Sequence, residues 1–142
     1  MAAQRRVSSA ATRTVTGACH CGAVRFRARL KDPAIAHRCN CSMCAASGFV
    51  GVIVPADAFE LLSDRAALSE YRFNTGSARH WFCSTCGVKS FYRPRSNPDG
   101  YNLNLNCLSL EPDHVVRVED FDGQNWEAHA AALAHLTAPA SE

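Results

Sequence analysis

This 142-residue chain has no acidic residue in its first 31 positions and no long apolar run. No acidic side chain precedes Asp32, and residues 1–11 hold no apolar run of the roughly 7–15 residues that an export signal requires. No stretch approaches the roughly 18 apolar residues that cross a membrane as a helix. These absences predict a soluble, cytoplasmic protein whose thiols stay reduced. The acid-free leader, residues 1–13, is expected to be a short flexible tail, although it loosely resembles an organelle transit peptide.

Charge is distributed unevenly around a net value of +2. Residues 1–31 carry seven Lys and Arg and no acid, whereas residues 111–142 carry one Arg and seven acids. A basic N-terminal surface could bind nucleic acid. However, basic and apolar residues alternate strictly from Val24 to Lys31, which is typical of a half-buried strand with a solvated face. Nucleic acid is therefore not expected as a partner.

A period of two recurs along most of the chain. Alternating or β-branched segments, bounded by turn residues, predict strands at residues 14–17, 24–30, 49–54, 59–62, 69–73, 80–82, 88–93, 101–107 and 115–121. Only the C-terminal part changes period: Trp126, Ala130, Leu133 and Leu136 form one stripe of a helix, with Asn125 as a candidate cap. The sequence predicts one mainly β, antiparallel domain over residues 14–137 with a short C-terminal helix, followed by a tail of residues 138–142.

Eight cysteines are too many for ordinary core filling in a chain of this length. The CxCG run at residues 19–22 and the CxxCG run at residues 83–87 each predict a tight turn in which two thiolates converge. Two such pairs complete a four-thiolate site of the closed, structural type, for which soft ligands favour zinc over iron. A redox role for the single CxxC would need a βαβ context, and its flanks are typical of strands.

The run CNCSMC at residues 39–44 places three thiols within six residues. Three protein ligands and one exchangeable position are the arrangement of catalytic zinc. The alternatives are closure by a fourth ligand, for which His37, His80 and Cys107 are the candidates, or no metal at all. Cys107 itself lies on the apolar face of its predicted strand, where we expect a buried structural thiol.

The order of these motifs resembles that of the glutathione-dependent formaldehyde-activating enzyme family, which also includes centromere protein V. The segments that carry the resemblance are GACHCGAVRF at residues 17–26, CNCSMC at 39–44, FCSTCG at 82–87 and FDGQNW at 121–126. FYRPRSNPDG at residues 91–100 is particularly similar to the centromere protein V branch. The resemblance extends over residues 16–129, nearly the whole predicted domain.

This resemblance implies an Mss4-like β fold of the β-tent type that binds two zinc ions. It implies two sets of ligands: Cys19, Cys21, Cys83 and Cys86 for a structural site, and Cys39, Cys41 and Cys44 for a catalytic site. The implied activity is carbon–sulfur lyase chemistry, the condensation of formaldehyde with glutathione to S-(hydroxymethyl)glutathione. The partners would be glutathione or another small thiol and an aldehyde. His37 or His80 could relay a proton, although a histidine beside a metal turn is more often structural.

Departures from the family pattern concern the glutathione pocket and leave the cysteines intact. Ala45 and Ala46 stand where many members have a basic pair, and Ser109 stands where many have aspartate. Arg93 and Arg95 remain candidates for binding a carboxylate. The alternative hypothesis is a non-enzymatic zinc-binding scaffold or interaction module with a closed second metal site, and a third is a thiol-based metal buffer. The sequence does not predict an oligomeric state.

Overall fold

The computed structural model describes residues 12–137. The predicted leader and the tail at residues 138–142 lie outside the described residues, except that Thr12 and Arg13 belong to the first strand. The strands are β1 (Thr12–Ala18), β2 (Arg25–Lys31), β3 (Ala34–Cys39), β4 (Val50–Pro55), β5 (Phe59–Leu61), β6 (Leu68–Tyr71), β7 (His80–Cys83), β8 (Phe91–Tyr92), β9 (Gly100–Asn104), β10 (Leu108–Ser109) and β11 (Val116–Phe121). The α-helices are α1 (Ser42–Ser47) and α2 (Trp126–His129), and α2 continues as a 3₁₀ segment over Ala130–Thr137. No helix of the described part is long and apolar enough to cross a membrane.

The described strands form three sheets. Their orders are β10-β1-β2-β5, β11-β3-β4-β9-β8 and β6-β7. Every pairing is antiparallel except that of β11 with β3, which is parallel. The predicted mainly β, antiparallel class with a short C-terminal helix is therefore confirmed, with one parallel pair that the sequence pattern did not predict.

Strand β2 shows how alternation builds the core. Phe26, Ala28 and Leu30 are at most 2% exposed, while the basic residues between them face solvent. Arg27 on this solvated face pairs with Glu60 on β5 at 2.6 Å. The predicted half-buried strand is confirmed, and its positive charge is partly neutralised within the same sheet.

The parallel pairing of β3 with β11 positions the third cysteine motif. The register brings Cys39 opposite Phe121, so both strands end at the same edge of the sheet. Strand β4 lies on the other side of β3, with Gly51 opposite His37, and β9 follows β4. The chain segments that follow Cys39 and Phe121 therefore lie beside each other.

The sequence pattern misses β3, α1 and β10. In β3 the buried residues are Ala34 and Ala36, and Ile35 is the only β-branched residue. Small apolar side chains give little strand signal, so tertiary pairing decides this element. Helix α1 has six residues and ends at Gly48, whose φ of +66° suits glycine.

Some predicted element ends are wrong, and the predicted strand at residues 88–93 is reduced to Phe91–Tyr92. The predicted strand at residues 101–107 stops at Asn104, because the Asn104 side chain accepts a hydrogen bond from the Asn106 N–H at 3.1 Å and starts a 3₁₀ turn. Asn125 precedes α2 but makes no capping hydrogen bond, since its amide donates to Asp122 at 2.7 Å. The predicted helical stripe is nevertheless found, with Leu133 only 7% exposed.

Candidate functional site

The first candidate site joins turns from two different sheets. Cys19 and Cys21 follow β1, while Cys83 ends β7 and Cys86 lies in the turn after it; we call these residues the four-cysteine cluster. Their sulfur atoms lie within 4.8 Å of one another. The sulfur of Cys21 is 3.7 Å from that of Cys19 and 3.6 Å from that of Cys83. Sulfur atoms bound tetrahedrally to one zinc ion at about 2.3 Å are about 3.8 Å apart, so the spacing suits a single ion.

The main chain of both turns supports these sulfur atoms. Gly22 and Gly87, each directly after the second cysteine of its motif, have φ values of +84° and +80°, which favour glycine. The N–H of Val24 donates to Cys19 Sγ at 3.3 Å. The sulfur of Cys83 accepts from the N–H groups two and three residues later at 3.3 and 3.4 Å. The CxCG and CxxCG runs thus form similar turns that bring main-chain donors to their sulfurs.

Main-chain N–H groups favour the thiolate form of Cys83 and Cys86, whereas hydrogen bonding with the sulfur of Cys83 and burial raise the pKa of Cys21 to about 11. The N–H groups of Val88 and then of Cys21 lower the pKa of Cys86 to about 6. The N–H of Cys86 lowers the pKa of Cys83 in the same way. A metal ion binds cysteine as the thiolate, so the turns prepare their sulfurs for ligation.

Cys107 lies outside both groups of cysteines that the described residues bring together. It is half-buried, where the sequence predicted full burial, because the chain leaves the strand at Asn104 and enters the 3₁₀ turn Leu105–Cys107. Burial raises the pKa of Cys107, which disfavours the reactive thiolate. Its surroundings are those of a packing residue.

The second candidate site forms where β3 ends and α1 begins. Cys39 is the last residue of β3, Cys41 occupies the N-cap of α1 and Cys44 lies in its first turn; we call them the three-cysteine cluster. Their sulfurs lie within 4.8 Å of one another. The N–H of Cys44 donates to Cys41 Sγ at 3.3 Å, and that of Cys41 donates to Cys39 Sγ at 3.4 Å. A cysteine therefore takes the capping role that Ser or Asp usually has.

The segment after β11 packs directly on the three-cysteine cluster. Gly123 lies so close that a Cβ at this position would run into Cys39 Sγ. Asn40 holds the segment in place: its Oδ1 accepts from the N–H of Gln124 at 2.9 Å, and its Nδ2 donates to Asp122 at 3.1 Å. The FDGQNW motif thus covers one side of the cysteines, a role that its sequence does not reveal.

Negative charge within the three-cysteine cluster is favoured at Cys41. Hydrogen bonds from the thiols of Cys39 and then Cys44 lower the pKa of Cys41 strongly. Hydrogen bonds with Cys39 and Cys41, together with burial, raise the pKa of Cys44, which is 4% exposed. Cys41 is therefore the acceptor for both of its neighbours.

None of the three candidates for a fourth ligand joins this cluster. Within the described residues, the group of ligand atoms contains only the three sulfurs. The Nε2 of His37 is 3.9 Å from Glu119 Oε1, and burial lowers the pKa of His37. His80 Nδ1 is instead 3.2 Å from Lys89 Nζ, and Cys107 lies elsewhere. Residues 12–137 thus offer three protein ligands at this point.

A cavity of about 530 Å³ adjoins the three-cysteine cluster, whose sulfur-bearing residues all line it. Phe73, Tyr92, Phe121 and Trp126 supply its aromatic walls, and polar side chains, Arg95 among them, lie between these rings. Cavities of this size and character are typical of small-molecule sites. The three thiols therefore lie where a ligand of moderate size could reach them.

Tyr92 links the cavity wall to the cysteines. Its hydroxyl is 3.8 Å from Cys44 Sγ and accepts a hydrogen bond from Asn102 Nδ2 at 3.3 Å, which leaves its own proton for the sulfur. Gly51 makes room for this contact, because a Cβ there would overlap the Asn102 amide. Tyr92 and Asn102 were not predicted from the sequence to be site residues. The one available signal was the asparagine at every second position of residues 102–106.

Of the two arginines considered for binding a carboxylate, only Arg95 lines the cavity. Its guanidinium carbon is 3.7 Å from the centroid of the Trp126 ring, and its Nη2 is 3.0 Å from Glu127 Oε2. Arg93 is directed elsewhere, since its Nε donates to the carbonyl oxygen of Gly100 at 3.3 Å. The Glu127 side chain is 79% exposed, so its pair with Arg95 is weak and can open.

Comparisons with known proteins identify a family and two relatives. The family model described as "Glutathione-dependent formaldehyde-activating enzyme" matches residues 14–122. A curated relative from Halomonas elongata, named "Putative glutathione-dependent formaldehyde-activating enzyme", is 33% identical over 78 residues, which cover 49% of this chain and 50% of the relative. The chain thus matches half the length of that relative. A crystal structure of a Rhodobacter sphaeroides protein superposes with a TM-score of 0.64 at 34% identity, covering 73% of this chain and 99% of the other. This likeness agrees with the Mss4-like fold class.

Proposed function

The chain belongs to the glutathione-dependent formaldehyde-activating enzyme family, and on this premise we propose that it catalyses the reversible addition of a thiol to a small aldehyde at Cys39, Cys41 and Cys44. The observation that carries the proposal is the position of these three sulfurs, within 4.8 Å of one another and on the wall of a cavity of about 530 Å³. In its best-fitting form the reaction joins glutathione and formaldehyde, which makes the protein a carbon–sulfur lyase of the S-(hydroxymethyl)glutathione synthase type.

The donor atoms of both clusters fit zinc. Four sulfurs at the observed spacing suit a closed, structural ion, and three sulfurs beside a cavity suit an ion with an exchangeable position. When bound at the three-cysteine cluster, zinc would supply a Lewis acid that lowers the pKa of a thiol ligand or polarises a carbonyl oxygen, and each role needs one exchangeable position. The scaffold hypothesis expects a fourth protein ligand here, and none is found among the described residues, which favours the enzyme.

The proposed reaction adds a thiol across a carbonyl group and is not a redox step. The substrate sulfur attacks the carbonyl carbon, a C–S bond forms, and the π electrons of the carbonyl group move to its oxygen. The proton lost by the thiol is balanced by one gained at that oxygen, which gives the hydroxymethyl thioether. The reverse reaction breaks the same C–S bond. The chain contributes by holding both reactants in one cavity, which removes much of the entropic barrier to a bimolecular step.

The charge around the cavity bears on the choice of thiol. Ala45 and Ala46, where many relatives have a basic pair, are exposed on α1 and attract no anion. Arg95 is the cation on the cavity lining, and its pair with the exposed Glu127 can be exchanged for a substrate carboxylate. One carboxylate of glutathione could therefore be bound at the mouth of the cavity, with Trp126 supporting the guanidinium.

The proposal is tested by exchange NMR on a mixture of glutathione and formaldehyde. We expect the zinc-loaded protein to speed exchange between free reactants and adduct. Replacing the thiolate-favouring cysteine, Cys41→Ser, should return exchange to the rate without protein. Cys107→Ser is the matched control, because this thiol lies outside both clusters, and should keep the full rate. An unaccelerated exchange with the wild-type protein, for glutathione and for simpler thiols such as 2-mercaptoethanol, would contradict the proposal.

A further inference from the structure

The imidazole of His80 is held rigidly beside the three-cysteine cluster. Its ring lies between those of Phe73 and Tyr92, with centroid distances of 5.5 and 4.7 Å and interplanar angles of 28° and 17°. The residue is 5% exposed and lines the same cavity as the three thiols. Since the Tyr92 hydroxyl is 3.8 Å from Cys44 Sγ, a single aromatic ring separates His80 from the cysteines.

Lys89 determines which nitrogen of His80 carries the proton. The Nζ of Lys89 is 3.2 Å from His80 Nδ1. An ammonium group has donors and no acceptor, so Nδ1 must accept, and the proton of a neutral imidazole then resides on Nε2. The ammonium also lies 4.6 Å from the centroid of the Tyr92 ring and 5.0 Å from that of Phe49, which fixes its position.

The same surroundings keep His80 neutral. Burial, and then the positive charge of Lys89, lower the pKa of His80 to about 4. Burial also lowers the pKa of Lys89, and thiolate charge in the three-cysteine cluster counteracts this effect. His80 is therefore unsuited to relaying protons at neutral pH, which was one role considered from the sequence. It is suited to donating a hydrogen bond from a ring N–H while it keeps the proton.

The donor on Nε2 has no hydrogen-bond partner within residues 12–137, while Nδ1 is occupied by Lys89. A donor that loses water when a ligand enters the cavity costs free energy unless the ligand accepts from it, so a ligand with an acceptor at this position is favoured. The cavity on which His80 lies is the place where such an acceptor can bind. Neutral donors held in advance at the position of a developing oxyanion are among the strongest contributors to catalysis.

We propose that Nε2–H of His80 forms a carbonyl-oxygen subsite in the cavity and donates a hydrogen bond to the oxygen of the aldehyde. The role in catalysis rests on the proposed function. As the C–S bond forms and the carbonyl π pair moves to oxygen, His80 stabilises the growing negative charge and keeps its proton. The thiol proton leaves to water, and the alkoxide takes a proton from water, so the step is balanced without transfer from the imidazole.

Two variants of His80 separate the donor from the packing. His80→Phe keeps an aromatic ring between Phe73 and Tyr92 but has no donor, whereas His80→Gln keeps an N–H near the position of Nε2. We expect His80→Phe to lower kcat by about 10²-fold with a smaller change in KM, because one oxyanion donor is typically worth about 10²–10³-fold. His80→Gln should retain most of the rate. Equal rates for the two variants would overturn the proposal.

A spectroscopic measurement tests the subsite without turnover. Long-range ¹H–¹⁵N NMR of the zinc-loaded protein should show His80 protonated on Nε2 and unprotonated on Nδ1, and Lys89→Met should yield a mixture of tautomers. Formamide, an unreactive carbonyl compound, should shift the Nε2–H resonance of the wild-type protein. A proton on Nδ1, or no response to formamide, would overturn the subsite. A formamide response in a protein that does not accelerate thiol addition would support the subsite and reject the proposed function alone.

Discussion

The hydroxyl of Tyr92 donates toward Cys44 Sγ across 3.8 Å while it accepts from Asn102 Nδ2 at 3.3 Å. A sulfur of the three-cysteine cluster is thus connected to β8 and β9 through a tyrosine and an asparagine that are 7% and 8% exposed. Such outer contacts orient metal ligands and adjust their basicity. They also tie the three-cysteine cluster to two strands of the five-stranded sheet.

Replacing this tyrosine, Tyr92→Phe, should weaken metal binding at the three-cysteine cluster. The change removes the hydroxyl and keeps the ring that stacks on His80, so we expect a roughly 10–100-fold loss of affinity for one metal ion. The measurement is the release of zinc to a chelator, followed over time. Tyr101→Phe is the control, because Tyr101 stacks on Phe59 at 4.2 Å, away from both clusters. Identical release from the two variants would contradict the role assigned to the Tyr92 hydroxyl.

The two clusters should differ in what their loss does to the fold. Cys83 is 1% exposed and belongs to the cluster that joins the turn after β1 to the turn after β7. Because a structural zinc site contributes on the order of 10 kcal/mol to folding, Cys83→Ser should cost several kcal/mol of stability and one equivalent of zinc. Cys41→Ser should lose the other zinc with a much smaller change in unfolding free energy. Denaturant unfolding and metal analysis of the two variants check these expectations. Equal destabilisation by the two variants would contradict a structural role for the four-cysteine cluster alone.

Gly123 should be intolerant of any side chain. A Cβ at this position would run into Cys39 Sγ, and hydrogen bonds from Asn40 oppose a shift of the segment away from the cluster. We expect Gly123→Ala to displace a cysteine and to lower both zinc content and turnover, while the four-cysteine cluster keeps its metal. Ala128→Gly, at an exposed position of α2, controls for a glycine–alanine exchange nearby. Full zinc content and full turnover in Gly123→Ala would show that the close packing is unimportant.

Stability should depend on pH through His80. Burial and Lys89 lower its pKa from 6.5 to about 4 in the folded chain, so the unfolded chain binds the proton more readily between these values. The free energy of unfolding therefore falls as pH falls through this window, by roughly 3 kcal/mol from this group. His80→Gln should remove that part of the pH dependence. Urea unfolding between pH 7 and pH 4.5 checks it, and parallel curves for the variant and wild type would contradict the prediction.

The grouping of the cysteines and the class of fold could be predicted because both depend on local spacing. The CxCG and CxxCG runs specify the two tight turns at Gly22 and Gly87, and the alternation in β2 specifies which residues enter the core. The strand content of β3 could not be predicted, since its buried residues are alanines whose strand conformation depends on partners in β4 and β11.

The side chains around the three-cysteine cluster could not be predicted either, because they too depend on tertiary contacts. Lys89 meets His80 only because the turn at Cys83 and Cys86 folds the chain back on itself. Tyr92 meets Cys44 through the register of a five-stranded sheet that includes one parallel pair. Spacing in the sequence specifies ligands, whereas the groups that adjust them are brought in by tertiary pairing.

The most direct test of the reactive cluster is a crystal structure of the zinc-loaded protein with glutathione, using the anomalous signal of zinc. The account predicts two zinc ions, one bound by Cys19, Cys21, Cys83 and Cys86, and one bound by Cys39, Cys41 and Cys44 with the glutathione sulfur as its fourth ligand in the cavity. A fourth ligand supplied by the protein, with glutathione absent from the cavity, would contradict it.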